Sequence, residues 1–219
     1  MAASRMTVSR LAPDALRLVA VIRADRPEDA LLAARAMAQA GVRGIEITFT
    51  VPDAAAIIRA AVAALPPEAI VGAGTVLTHA QADAALAAGA RFLVSPVGDA
   101  WLVEMGHAAG VAVAIGGLTP TEIVAAQRAG ADYVKLFPGD ALGGPKYIRN
   151  LRGPLPDVPL MVTGGVTREN AADYLAAGAQ SVGLGSDLVP KHLVAANDFD
   201  GLVRHAEGVV ASVLGGRVA

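Results

Sequence analysis

The chain contains no cysteine. Disulfides, thiolate catalysis and cysteine-based zinc or iron–sulfur centres are thereby excluded. Aromatic residues make up only 4% of the 219 residues, which removes the stacking platforms that single-stranded nucleic acids use. Charged residues are sparse at 17%, the net charge is −2, and no basic stripe is present, so nucleic acid is not an expected partner. The histidines (His79, His107, His192, His205) show no close ligand spacing, and no metal or other cofactor is expected. No apolar run reaches the ~18–20 residues of a membrane span. Residues 1–10 lack the apolar segment of a secretory signal. A soluble, cytoplasmic protein with no membrane partner is the resulting expectation. Lysine is scarce as well: Lys135, Lys146 and Lys191 are the only three.

What the chain does have is apolar residues, at 54%. That content argues for a generous core and against disorder. A pattern recurs from end to end: a short β-branched run, a cap, an Ala-rich helical stretch, then Ala-Gly. The runs are Leu18–Arg23, Gly44–Phe49, Ala69–Val76, Phe92–Pro96, Val111–Gly117, Tyr133–Pro138, Pro159–Gly165 and Ser181–Ser186. Gly41, Gly89, Gly110, Gly130 and Gly178 each precede a new run, as helix-stopping glycines do. Asp25-Arg26-Pro27-Glu28 and Thr119-Pro120-Thr121-Glu122 read as helix starts, and Thr78 with Gln81 makes a weaker version. Helical stretches such as Pro27–Ala40 and Arg168–Ala177 are long enough for crossovers. Strands alternating with helices imply parallel pairing and right-handed connections. Eight units in this length fit a (β/α)8 TIM barrel, whose size runs from ~200 residues upward, with a doubly wound open sheet as the alternative. No linker or composition shift divides the chain. It reads as one domain over 1–219, with 1–10 a loosely ordered tail.

In such a barrel the site lies at the C-terminal ends of the strands. Lys135 sits inside Tyr133-Val134-Lys135-Leu136-Phe137-Pro138, an apolar run. Burying an ammonium costs several kcal/mol (about 3–5 when unpaired). A lysine there is either an amine nucleophile, its pKa lowered by desolvation, or a core lysine paired to a carboxylate or reaching out at the strand end. Glu46 lies between Ile45 and Ile47 and is the sole carboxylate in any of the runs. It is either a general acid/base with a raised pKa or a partner for a buried cation. Schiff-base chemistry needs an amine and a proton shuttle together, so the two readings converge. Gly72-Ala73-Gly74-Thr75 leaves room for a ligand against the backbone, with the Thr75 hydroxyl to hand. Arg23 ends the first run as a surface or packing residue, or as a clamp for a carboxylate. Thr163-Gly164-Gly165 and Gly183-Leu184-Gly185-Ser186 are either tight turns or a phosphate cradle after strands 7 and 8. Lys146 and Lys191 read as solvated surface, Lys191 close to that cradle. Together these strand ends suit carbon–carbon bond chemistry on a phosphorylated keto acid.

Six segments carry a resemblance that covers about Val19 to Ser186: Gly-Ile-Glu-Ile-Thr at 44–48, Val-Gly-Ala-Gly-Thr-Val at 71–76, Val-Ser-Pro at 94–96, Leu-Thr-Pro-Thr-Glu at 118–122, Val-Lys-Leu-Phe-Pro at 134–138 and Thr-Gly-Gly-Val at 163–166. Their combination resembles the 2-keto-3-deoxy-6-phosphogluconate (KDPG) and 4-hydroxy-2-oxoglutarate (KHG) aldolases, with the related 2-keto-3-deoxy-6-phosphogalactonate enzymes. The resemblance implies a class I lyase without a metal. Lys135 would attack the C2 ketone, and Glu46 would move protons. Cleavage between C3 and C4 would release an aldehyde such as glyceraldehyde 3-phosphate and leave pyruvate. Thr75 would help seat the carboxylate end, Gly164, Gly165, Gly185 and Ser186 would cradle the phosphate, and Pro96 and Thr163 would also be substrate-binding. A homotrimer is implied too. Thr50 departs from an arginine common in the phosphogluconate type, whereas Arg23 matches an arginine of the phosphogalactonate type. Val97 and Ile115 also depart, and they are expected to narrow the pocket mouth or shift a strand end. The competing readings are another phosphate-binding barrel, such as a sugar-phosphate epimerase or a thiamine-phosphate synthase-like transferase, and a phosphosugar-acid sensor without turnover.

Overall fold

Alternation of short β-branched runs with capped Ala-rich stretches produces a closed barrel of eight parallel strands, each hydrogen-bonded to the next, with β8 returning to β1. The computed structural model describes residues 15–215; the expected tail at 1–10 lies outside them. The strands are β1 (Leu18–Ile22), β2 (Gly44–Thr48), β3 (Ile70–Gly74), β4 (Phe92–Val94), β5 (Ala112–Gly116), β6 (Tyr133–Leu136), β7 (Leu160–Thr163) and β8 (Ser181–Leu184). The helices are α1 (Pro27–Gln39), α2 (Ala54–Ala64), α3 (His79–Ala87), α4 (Ala100–Ala108), α5 (Pro120–Arg128), α6 (Pro145–Arg152), α7 (Ala171–Ala176), a short α8 (Lys191–Ala195) and α9 (Phe199–Leu214). Closure between Leu18–Ala20 and Val182–Leu184 rules out the open sheet.

The Ala-Gly stops share one geometry. Gly41, Gly89, Gly110, Gly130 and Gly178 all have positive φ. In each case the next residue's N–H reaches back to a carbonyl of the last helical turn, as in Val42 N–H to Met37 O at 3.0 Å and Val111 N–H to Gly106 O at 2.9 Å. This is the 6→1 bond of the Schellman motif, which turns the chain sharply into the next strand. Thr119 and Glu122 form the expected capping box, and Thr78 caps Gln81 N–H. The first helix start differs from expectation. Arg26 is its N-cap and no side chain caps it; the Arg26 guanidinium instead bonds the Asp29 carboxylate. The seventh helix is shorter than Arg168–Ala177, because Thr167–Asn170 forms a turn first.

Strand periodicity divides the apolar residues into two cores. Leu18, Ala20, Ile22, Ile45, Ile47, Val134 and Leu136 pack outward against the helices. Val19, Val21, Ile70, Phe92, Val94, Ala112, Ala114, Tyr133 and Met161 fill the barrel interior. Glycines on the inner face make room for larger neighbours. A Cβ on Gly72 would lie 2.4 Å from the Phe92 ring, and one on Gly183 would lie 2.7 Å from Thr163 Cγ2. At the N-terminal end the Ser181 hydroxyl bonds Leu16 O. Nearby, the Arg152 guanidinium reaches the carbonyls of Leu155, Pro156, Val158 and Gly178 and Oε1 of Gln180. One side chain thus satisfies the loop that leads into β7 and the turn that leads into β8.

Candidate active site

Because Val134 and Leu136 face the helices, Lys135 between them must face inward. It is only 2% exposed, beside Gly116 on β5 and Met161 on β7 in the strand register. Its amine lies 5.4 Å from the centre of the Phe137 ring. Burial holds the amine below the ordinary lysine range; attraction to Glu46 opposes that shift and repulsion from Arg23 adds to it. Glu46, inward between two outward isoleucines, is fully buried. Burial raises its carboxyl above the ordinary range, and the charges of Lys135 and then Arg23 partly offset the rise. The two groups are therefore coupled through space. Neither carboxylate oxygen has a hydrogen-bond partner within the described protein, nor does the buried Thr163 Oγ1. Buried polar atoms are nearly always satisfied, so these unpaired oxygens single out Glu46 and Thr163 as candidates for bonding to a ligand.

A cavity of about 600 Å³ opens at the C-terminal end of the barrel. Arg23, Lys135 and Phe137 line one part of it, and Thr163, Gly164 and Gly165 the next. Gly185 and Ser186 follow after β8, with Lys191 at the rim. Of the residues singled out in the sequence, Lys135, Arg23, Thr163, Gly164, Gly165, Gly185 and Ser186 thus converge on one space. The glycine loops are held in place. Asn170 Nδ2 donates to Gly165 O at 2.9 Å, and Arg168 N–H donates to Asp187 Oδ2 at 2.7 Å, tying the turn after β7 to the turn after β8. Gly164 and Gly165 both have positive φ, and a Cβ on Gly165 would lie 2.3 Å from Asp140 Cγ, so only glycine fits there.

Three of the expected residues do not line this cavity. Glu46 lies deeper in the barrel, its Oε1 so close to Gly74 that a Cβ there would be 1.8 Å away. The space left by Gly72 and Gly74 is accordingly filled by Phe92 and Glu46, where the sequence suggested a ligand against the backbone. Thr75 follows Gly74 with φ 56°, a left-handed conformation that is costly for a β-branched residue. Pro96 places its carbonyl against Gly116, where a Cβ would be 2.0 Å from that oxygen. Ile115 is buried in the outer core and Val97 is exposed, so neither borders the cavity and the expectation that they narrow its mouth is corrected. Phe137 was not singled out as a site residue. Its position two residues after Lys135, and hence on the same inward face, was the available signal. Among the described residues no three His, Asp or Glu side chains come together as a metal site.

The sequence and the fold are similar to those of known proteins. The family model described as KDPG and KHG aldolase matches residues 11–205. A probable 2-dehydro-3-deoxy-6-phosphogalactonate aldolase from Rhizobium meliloti is 40% identical over 78% of this chain and 81% of its own. A 2-dehydro-3-deoxy-phosphogluconate aldolase from Treponema pallidum is 39% identical over 84% and 87%. The KDPG aldolase of Legionella pneumophila, solved with pyruvate captured as a covalent carbinolamine, superposes with a TM-score of 0.83 at 28% identity, covering 91% of this chain and 98% of that one. Fold and sequence agree, and the chain belongs to the KDPG and KHG aldolase family.

Proposed function

We propose that this protein is a class I aldolase that reversibly cleaves a phosphorylated 2-keto-3-deoxy sugar acid, of the phosphogluconate or phosphogalactonate type, or 4-hydroxy-2-oxoglutarate, to pyruvate and an aldehyde. One observation carries the reading: a buried amine, held below the ordinary lysine range, faces a cavity and is coupled to a buried carboxyl held above its own. A free amine attacks a ketone; a carboxyl poised to hold or give a proton serves each later step.

Lys135 Nζ attacks the C2 ketone, and loss of water from the carbinolamine gives an iminium. Glu46 relays the protons of these steps. Removal of the C4 hydroxyl proton then lets the C3–C4 bond break, with its electron pair flowing into the iminium. The aldehyde departs; the enamine takes a proton at C3, and hydrolysis frees pyruvate. Arg23 holds the carboxylate end. Gly164, Gly165, Gly185 and Ser186 cradle the phosphate, Thr163 offers its free hydroxyl in between, and Lys191 stands at the rim of the cradle. Thr75 and Pro96 act from behind the site, shaping the β3 and β4 ends around Glu46. The epimerase-like and sensor readings call for no such amine. The same reading takes the chain as one domain over 1–219 that works in the cytoplasm as a homotrimer. No helix among the described residues is long and apolar enough to cross a membrane.

The test is intact-mass analysis after incubation with pyruvate and borohydride, followed by peptide mapping. One reduced adduct per chain on Lys135 is expected. A folded protein that traps nothing, or traps pyruvate elsewhere, refutes the assignment. Light scattering gives the oligomer size, and a mass other than three chains removes the trimer.

A further inference from the structure

Arg23 follows the last residue of β1 at the boundary between two cavities. It lines the main one and also a smaller one of about 280 Å³, bounded by Ala33, Asp25, Asp29, Thr50 and Lys191. An exposed arginine with four rotatable bonds at such a boundary has two places to go. Its guanidinium donates from Nη1 to Thr50 Oγ1 at 3.4 Å. Thr50 Oγ1 in turn lies 2.6 Å from Thr48 Oγ1, and the buried Thr48 hydroxyl donates to Ile22 O at 3.1 Å.

The direction of this chain of bonds follows from donor counting. A backbone carbonyl only accepts, so the single hydroxyl hydrogen of Thr48 is committed to Ile22 O. Thr50 must then be the donor in the short contact between the two hydroxyls. That leaves the lone pairs of Thr50 Oγ1 facing outward, where they accept from the guanidinium. The relay is rooted in the residue that immediately precedes Arg23, so the arginine's side chain is tied back to its own strand end through β2. Thr48 is fully buried and anchors the relay rigidly, whereas Thr50 is exposed.

We propose that Thr50, backed by Thr48, is a positioning residue: its hydroxyl holds the Arg23 guanidinium at the mouth of the main cavity, where the guanidinium receives the substrate's carboxylate. This rests on the aldolase reading for the identity of that carboxylate. Without the Thr50 hydroxyl, Arg23 is free to swing into the smaller cavity, and pyruvate loses a pre-aimed partner. Charge and shape of the site are otherwise unchanged.

The experiment is a double-mutant cycle on Thr50→Val and Arg23→Ala, with Thr50→Ser as the conservative variant. Half-saturation by pyruvate is read from the rate of borohydride trapping. Thr50→Val raises it about 2- to 10-fold, the range that one such hydrogen bond supports, with the limiting rate little changed and the melting temperature kept. Thr50→Ser stays near the parent protein. In the Arg23→Ala background Thr50→Val has no further effect. An unchanged half-saturation in Thr50→Val overturns the proposal. So does an effect that persists in full without Arg23, or a Thr50→Ser variant as impaired as the valine. If the parent protein traps no adduct, the aldolase reading fails. The same cycle read by calorimetric titration with pyruvate then still decides whether Thr50 acts through Arg23, and absence of any pyruvate binding overturns both.

Discussion

Gly74→Ala is the sharpest probe of the buried carboxyl. The added Cβ would lie 1.8 Å from Glu46 Oε1, where ordinary contact begins near 3.4 Å, so the carboxyl must retreat by the difference, about 1.6 Å, or β2 and β3 must part. The strands are paired in register from Gly44–Ile70 to Thr48–Gly74, which makes the carboxyl the softer of the two. A misplacement of about 1 Å in a catalytic group costs on the order of 100-fold in rate, and overpacking a core costs about 1–3 kcal/mol. We therefore expect kcat for aldol cleavage to fall roughly 100-fold, following the misplacement estimate, in a protein that still folds. Gly72→Ala is the control. Gly72 pairs with Glu46 in the strand register, but its Cβ would meet the Phe92 ring first, at 2.4 Å, and not the carboxyl. It carries a similar stability cost but should keep kcat within a few-fold. Steady-state cleavage assays, paired with thermal melts of both variants, give the comparison. If Gly74→Ala is folded and turns over within about threefold of the parent, far short of the cost expected of a misplaced catalytic group, then Glu46 does not act from where it lies, and the argument fails.

The pH dependence of imine formation should move in opposite directions in two variants. Glu46 raises the Lys135 pKa and Arg23 lowers it, so Glu46→Gln shifts the acid limb of the trapping rate to lower pH and Arg23→Ala shifts it to higher pH. A shared direction contradicts the electrostatic assignment. For stability, the raised Glu46 carboxyl binds its proton more tightly folded than unfolded. Its contribution is complete at pH values below the unfolded pKa, about 4.3, and is lost as pH rises through the folded value. Chemical denaturation should thus show Glu46→Gln gaining on the parent as pH rises through this range; a constant difference counts against it. Thr163→Val removes a buried hydroxyl that has no protein partner. Its melting temperature should hold or rise, while kcat/KM falls about 2- to 10-fold, as expected for one lost hydrogen bond to substrate; unchanged kinetics place the hydroxyl outside the reaction. Arg152→Ala strands the carbonyls of Leu155, Pro156, Val158 and Gly178. The network is part-buried, so a loss of about 1–3 kcal/mol is expected by denaturant titration. A loss under 1 kcal/mol shows that water replaces the guanidinium at low cost.

Much of this protein is legible in its sequence. Strand positions could be read because the signals are local: β-branched runs set the strands, and five Ala-Gly stops set the helix ends. Lys135 and Glu46 stood out because period-two alternation puts the middle residue of an apolar run on the face opposite its neighbours, and a charge there has no inexpensive explanation. The capping box at Thr119 was readable for the same reason, since its partner is only three residues away. Only the tertiary structure could decide what depends on distant segments meeting. That Gly72 and Gly74 make room for Phe92 and Glu46 depends on the registers of β2, β3 and β4. That Ile115 faces the helices, or that Thr75 and Pro96 stand behind the cavity, depends on how the closed barrel turns each strand end. The Arg23–Thr50–Thr48 relay joins residues 27 apart in the chain, through bonds whose lengths no sequence pattern records. The sequence by itself determined the elements, their order and the identities of the buried ionisable groups, because those follow from short-range propensity and the cost of burying charge. Which of those groups face one another was left to barrel closure, because strand register and tilt emerge only when all eight strands pack together.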